Sequence, residues 1–164
     1  MDEGFAERAE RLVRAQGVAP GMIELEMTES ALMNEPEKAR LVASSLVEAG
    51  FCLSIDDFGT GYSSLERLQS FPVFKLKIDM SFVRDMDTHA GNRAIVTAVI
   101  GMAKALKLET VAEGVETAAQ AALLTQLHCD EAQGYLYSKA IAAEPLLRQW
   151  LHGQPVQPTP PTAP

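Results

Sequence analysis

Ser54-Ile55-Asp56-Asp57-Phe58-Gly59-Thr60-Gly61-Tyr62-Ser63-Ser64 ends a short apolar run in two adjacent carboxylates and then turns on Gly59 and Gly61. Hard cations such as Mg²⁺ take oxygen ligands, and carboxylates supply those oxygens with charge. Glycine lets the backbone turn sharply or approach a ligand without a Cβ in the way. A plain surface turn has a similar composition, so this stretch by itself leaves both readings open.

The same kind of strand end recurs along the chain. Ile23-Glu24-Leu25-Glu26-Met27-Thr28-Glu29-Ser30 alternates apolar and acidic residues, and Phe74-Lys75-Leu76-Lys77-Ile78-Asp79 alternates apolar and basic ones. Strict alternation marks a strand with one apolar face. Thr110-Val111-Ala112-Glu113-Gly114-Val115-Glu116 ends in acid and glycine, and Cys129-Asp130-Glu131-Ala132-Gln133-Gly134-Tyr135 ends in an amide and glycine. The intervening segments read as helices. They run over Phe5 to Gln16, Glu35 to Ala49 with Asn34 as N-cap, Ser64 to Ser70, Asn92 to Lys107, Thr117 to Leu127 and Glu144 to Leu151. Ile95, Val96, Val99, Ile100, Ala103 and Leu106 form the buried face of the fourth, and Thr117-Ala118-Ala119-Gln120 is a capping box.

Strands alternating with helices predict βαβ units and a parallel sheet. Ligands of such sheets bind at the carboxyl ends of the strands. Glu26, Asp56, Asp57, Lys77, Glu113 and Gln133 lie there. Period-two geometry puts Lys75, Lys77 and Asp79 on one face, and Cys129, Glu131 and Gln133 likewise. Convergent carboxylates with one lysine and one amide suit a metal-assisted phosphate site.

These motifs, in this order and spacing, resemble the EAL-domain family of bacterial cyclic di-GMP phosphodiesterases. The resemblance is carried by Glu26-Met27-Thr28-Glu29-Ser30, Asp56 to Ser64, Lys77-Ile78-Asp79, Ala112-Glu113-Gly114-Val115-Glu116 and Gln133-Gly134-Tyr135. It implies an α/β fold, here a partial TIM-like barrel of five parallel strands with outer helices, and hydrolysis of cyclic di-GMP to linear pGpG. It also implies a two-metal site for Mg²⁺ or Mn²⁺, with Glu26, Asp56 and Asp57 as ligands. Glu113 resembles the general base and Lys77 the group that binds the attacking water or the developing charge. Glu29, which resembles the anchor of the Asp57–Ser64 loop, joins Asp79, Glu116 and Gln133 as a supporting group.

The Glu-Ala-Leu motif that names the family is absent, as is its Val-Asn-x-Ser strand. By the resemblance these supply one Glu and one Asn ligand and a substrate-contacting arginine. The expectation is therefore a truncated EAL-like domain over 1–152, its first metal site incomplete, weak or inactive alone, with a proline-rich disordered tail over 153–164. Two functions stay open: a phosphodiesterase, or a noncatalytic binding module derived from one. A homodimer or the missing N-terminal half would be the protein partner.

At 164 residues with 47% hydrophobic content the chain has one domain's worth of core, and its net charge of −8 argues against a nucleic-acid polymer as partner. No apolar run spans a membrane and no signal peptide opens the chain, which points to the cytoplasm. Cys52 and Cys129 read as buried, reduced thiols, and His89, His128 and His152 as surface residues.

Overall fold

A computed structural model describes residues 4–61 and 65–151 of the chain. Tyr62, Ser63 and Ser64 of the glycine-rich stretch, His152, and the tail expected over 153–164 lie outside the described residues. Five strands form one sheet: β1 (Glu24–Thr28), β2 (Cys52–Phe58), β3 (Lys75–Ile78), β4 (Glu109–Ala112) and β5 (Glu131–Ala132). Their spatial order is their sequence order and every pairing is parallel. Helices α1 (Phe5–Ala15), α2 (Glu29–Asn34), α3 (Pro36–Glu48), α4 (Leu65–Ser70), α5 (Met80–Val83), α6 (Ala90–Ala105), α7 (Ala118–Gln126) and α8 (Ala143–Leu151) complete the order, with a 3₁₀ turn at Pro20–Met22.

The register explains why the strands alternate. Paired residues of a parallel ladder point to one face, so Glu24, Glu26, Ser54, Lys75, Lys77 and Glu131 share a polar face. The opposite face carries Leu53, Ile55, Leu76 and Ile78, each at most 1% exposed. Ala39, Ala43 and Leu46 of α3 and Val96, Val99, Ile100 and Ala103 of α6 join them in the core. Lys75 pairs with Glu24 on β1 and with Glu131 on β5. Strands about 4.8 Å apart would put β1 and β5 about 19 Å apart in a flat sheet, too far for one ammonium with a glutamate on each side. The sheet is therefore curled about its polar face, as a segment of a barrel must be. Among the described residues its edges at β1 and β5 are free.

The helices differ from the expected ones mainly at their starts. Asn34 closes α2 rather than capping α3, whose N-cap position is Glu35 with Pro36 following. His89, exposed as expected, caps α6: its Nδ1 accepts from the Asn92 N–H at 3.4 Å. Ile95 is 38% exposed, so the buried stripe of α6 is Val96, Val99, Ile100 and Ala103. The capping box at Thr117 and Gln120 forms as expected. Cys52 and Cys129 are free thiols but only partly buried, because each lies near the amino end of its strand. Cys129 also donates weakly to backbone carbonyls, and burial raises its thiol pKa. Among the described residues no helix is long and apolar enough to cross a membrane.

Ser54 is fully buried on the polar face, and its hydroxyl has no hydrogen-bond partner among the described residues. A buried, unsatisfied hydroxyl costs free energy. Ser54→Ala is expected to raise stability by about 1 kcal/mol, read from the midpoint of urea unfolding. A loss of similar size would mean that an ordered water satisfies the hydroxyl.

Candidate active site

The carboxyl ends of the strands converge on Lys77. This lysine is on the central strand and only 7% of its side chain is exposed. Its Nζ lies 2.6 Å from Glu26 Oε1 of β1, 2.9 Å from Asp56 Oδ1 of β2, and 2.7 Å from Glu113 Oε1, just past β4. Gln133, just past β5, donates from Nε2 to the same Glu113 oxygen at 2.8 Å. All five strands thus contribute to one cluster.

Asp56 and Asp57 are adjacent, and an ordinary strand would aim them at opposite faces. Two features prevent this. The ladder between β2 and β3 slips between Ile55 and Phe58, and Asp57 has a positive φ of 55°. Bulges re-aim side chains in this way, and Asp tolerates the left-handed region better than most residues. As a result, single oxygens of Asp56, Asp57 and Glu113 all lie within 4.8 Å of one another. Glu26 is outside this group of three, is 47% exposed, and meets the cluster through Lys77.

The loop after β2 is held from below. Glu29, at the start of α2 and 1% exposed, accepts from Gly59 N–H at 2.9 Å and from Gly61 N–H at 3.2 Å through one carboxylate oxygen. A Cβ on Gly61 would lie 2.8 Å from the other Glu29 oxygen. Thr28 caps α2 by accepting from Ala31 N–H at 3.3 Å. Asp79 caps α5, accepting from Ser81 N–H at 2.9 Å and from the Ser81 hydroxyl, and, with burial and the Asp56 charge, its charge is near enough to Asp57 to raise the Asp57 pKa. Gly134 lets the chain past β5 approach Val115, whose backbone O would be 2.2 Å from a Cβ there.

Glu116, expected as a supporting group, is exposed, and among the described residues its carboxylate makes no hydrogen bond or ion pair to the cluster. The chain turns at Gly114 with φ 68°, Val115 is buried, and Glu116 is left exposed. Its backbone N–H, not its carboxylate, is engaged, donating to Gln120 at the start of α7.

The electrostatics follow from this crowding. Burial works against the Lys77 charge, but hydrogen bonds to Glu113, Glu26 and Asp56 outweigh it and hold its pKa above the ordinary lysine value. Burial raises Glu113, although Lys77 pulls it the other way. Burial, then the charges of Asp56 and Asp79, raise Asp57. A raised carboxylate binds its proton more tightly folded than unfolded. The contribution of these two groups to stability is therefore full at low pH and is lost as pH rises from the ordinary carboxylate range through the raised values. A cation bound among them would replace the proton. Three hard oxygen donors, closely spaced and rich in negative charge, fit a divalent cation.

Residues 1–140 match the family model described as the EAL domain. A cyclic di-GMP phosphodiesterase of Pseudomonas aeruginosa, NbdA, is 45% identical over 137 residues, 82% of this chain but 18% of its own length. The solved EAL domain of Mycobacterium smegmatis DcpA is 40% identical with a TM-score of 0.86, covering 93% of this chain and 69% of that one. The manganese and cyclic di-GMP complex of Klebsiella pneumoniae BlrP1 is 33% identical with a TM-score of 0.78, covering 84% of this chain and 35% of that one. The chain spans less than a fifth of the length of the first curated relatives it matches. It belongs to the EAL domain family, whose solved members are TIM-type barrels, and its five parallel strands are a segment of that barrel.

Proposed function

We propose that this chain carries the catalytic carboxylates of a metal-dependent phosphodiesterase that opens cyclic di-GMP to linear pGpG. The observation that carries this reading is the convergence of Asp56, Asp57, Glu113 and Lys77 at the carboxyl ends of the strands. Asp56 and Asp57 would hold Mg²⁺ or Mn²⁺, with Glu26 as a further ligand of a first site that this chain leaves incomplete. When bound, such ions polarise the phosphoryl oxygens and lower the pKa of the attacking water.

The remaining work falls to the chain's own residues. Glu113 takes the proton of the attacking water. Gln133 fixes the orientation of one of the Glu113 oxygens. Water oxygen bonds to phosphorus as the bond to the 3′ oxygen breaks, and that oxygen leaves as a hydroxyl by taking a proton from solvent. Lys77 keeps its charge and opposes the negative charge that builds on the phosphoryl group. Glu29 holds the loop that follows Asp57 in place.

A noncatalytic binding module is the second reading. It is favoured by the exposure of Glu26 beside the free edge of β1. Further strands of the same barrel, or a second copy of the chain, would pair there. The test is chromatography of cyclic di-GMP incubated with the chain and Mn²⁺, with Ca²⁺ as a control for binding. Slow conversion to pGpG by the 164-residue chain, faster when a complete barrel is restored, is expected. Tight binding with no conversion in either form would favour the binding module.

A further inference from the structure

A second ionic layer lies beneath the site and has no part in the chemistry just described. Lys75 Nζ pairs with Glu24 Oε2 at 3.0 Å and with Glu131 Oε2 at 3.3 Å, and 9% of its side chain is exposed. Its three members are on β1, β3 and β5. Each stands two residues before a member of the upper cluster: Glu24 before Glu26, Lys75 before Lys77, Glu131 before Gln133. Two residues along a strand return to the same face, about 6.6 Å higher. The lower layer therefore sits one pleat below the site on the same three strands.

We propose that Lys75 is a positioning residue, a strut across the concave face that sets the spacing of Glu26, Lys77 and Gln133. This inference rests on the metal-site reading of the upper cluster. The need for a strut is physical. β1 and β5 have free outer edges among the described residues, so only one neighbour holds each. β5 is two residues long and pairs with β4 only at Glu131 and Ala132. The Lys75–Glu131 pair ties this short strand to the centre of the sheet, immediately below the Gln133 that orients Glu113. The Lys75–Glu24 pair does the same for the strand that carries Glu26. A shorter or uncharged side chain would leave both outer strands free to splay.

Glu24 and Glu131 are 32% and 53% exposed, so water can take over both carboxylates when Lys75 is replaced by an apolar side chain of similar length. That separates positioning from folding. In the metal-free 164-residue chain, Lys75→Met is expected to keep its urea midpoint but to shift the Gln133 side-chain amide resonances toward those of an amide without the hydrogen bond to Glu113. Glu131→Gln should shift Gln133 and leave β1 unchanged, while Glu24→Gln should do the reverse. Mn²⁺ affinity, followed by titration, should fall about tenfold in Lys75→Met and recover in large part in Lys75→Arg. Unchanged Gln133 resonances in Lys75→Met would overturn the proposal, as would a parallel fall of stability and affinity that arginine does not rescue. If Asp56→Asn leaves Mn²⁺ binding intact, the metal reading fails instead, and the Gln133 resonances still decide the role of Lys75.

Discussion

Glu113→Gln is expected to lower the rate of cyclic di-GMP opening by about 10³-fold while leaving the fold intact. The substitution is nearly isosteric, and its amide oxygen still accepts from Lys77 and from Gln133, which lie 2.7 and 2.8 Å from the oxygen it replaces. What it loses is basicity, since an amide cannot take the water's proton. Lys77 also keeps two of its three carboxylate partners, Glu26 and Asp56, so its charge remains compensated. The readout is pGpG formed in a single turnover with Mn²⁺, which isolates chemistry from product release. Urea unfolding of the same variant checks that structure is retained. A variant that keeps wild-type turnover would remove Glu113 from the mechanism and leave it as a metal ligand or a structural acid.

The sheet was legible because β1 and β3 alternate and the other strands end in polar groups shortly before glycine, and alternation against a buried helix layer leaves little freedom of register. Glu26, Asp56, Lys77, Glu113 and Gln133 met at one end because parallel strands bring their carboxyl ends together. Other features were beyond that logic. Simple alternation would send Asp57 away from Asp56; only the slipped register and the left-handed backbone bring both to the site. The available signal was the choice of Asp, which tolerates that conformation, directly before a glycine turn. Helices α2 and α5 are six and four residues long, too short for a helical period to show. Their caps, Thr28 and Asp79, were the only local cues.

Glu116 takes its supporting role from the family resemblance, and local pattern does not say where its side chain lies. The turn at Gly114 had already carried the chain out of the sheet toward the cap of α7. The lower ionic layer was half visible: Lys75 was assigned its face, but its partners lie 51 and 56 residues away in sequence. Long-range pairing of that kind is fixed by the curl of the sheet, which no local pattern encodes.

Removing the carboxylate beneath the Asp57 loop should have the largest effect on stability. Glu29→Ala is expected to destabilise the chain by roughly 3 kcal/mol and to weaken Mn²⁺ binding by at least about tenfold. Glu29 is 1% exposed and takes two backbone N–H groups, those of Gly59 and Gly61, on one oxygen. Alanine leaves both donors without that acceptor and opens a cavity where the carboxylate stood. Hydrogen bonds to a charged acceptor contribute about 1.5–3 kcal/mol each, and part of that returns when the loop swings out to water. The cost to the site follows from geometry. Asp57 reaches the cluster only in a strained, left-handed conformation, with Gly59 two residues further on. Once the loop is released, Asp57 has no reason to hold that conformation. Glu29→Gln keeps an acceptor of the same reach without the charge, and should lie between wild type and alanine in both measurements. Amide exchange at Gly59 and Gly61 should quicken in the same order, because their protection depends on this one side chain. A Glu29→Ala chain with an unchanged urea midpoint and unchanged Mn²⁺ affinity would mean that the loop holds its shape without the buried carboxylate, and that Asp57 is positioned by the β2 backbone alone.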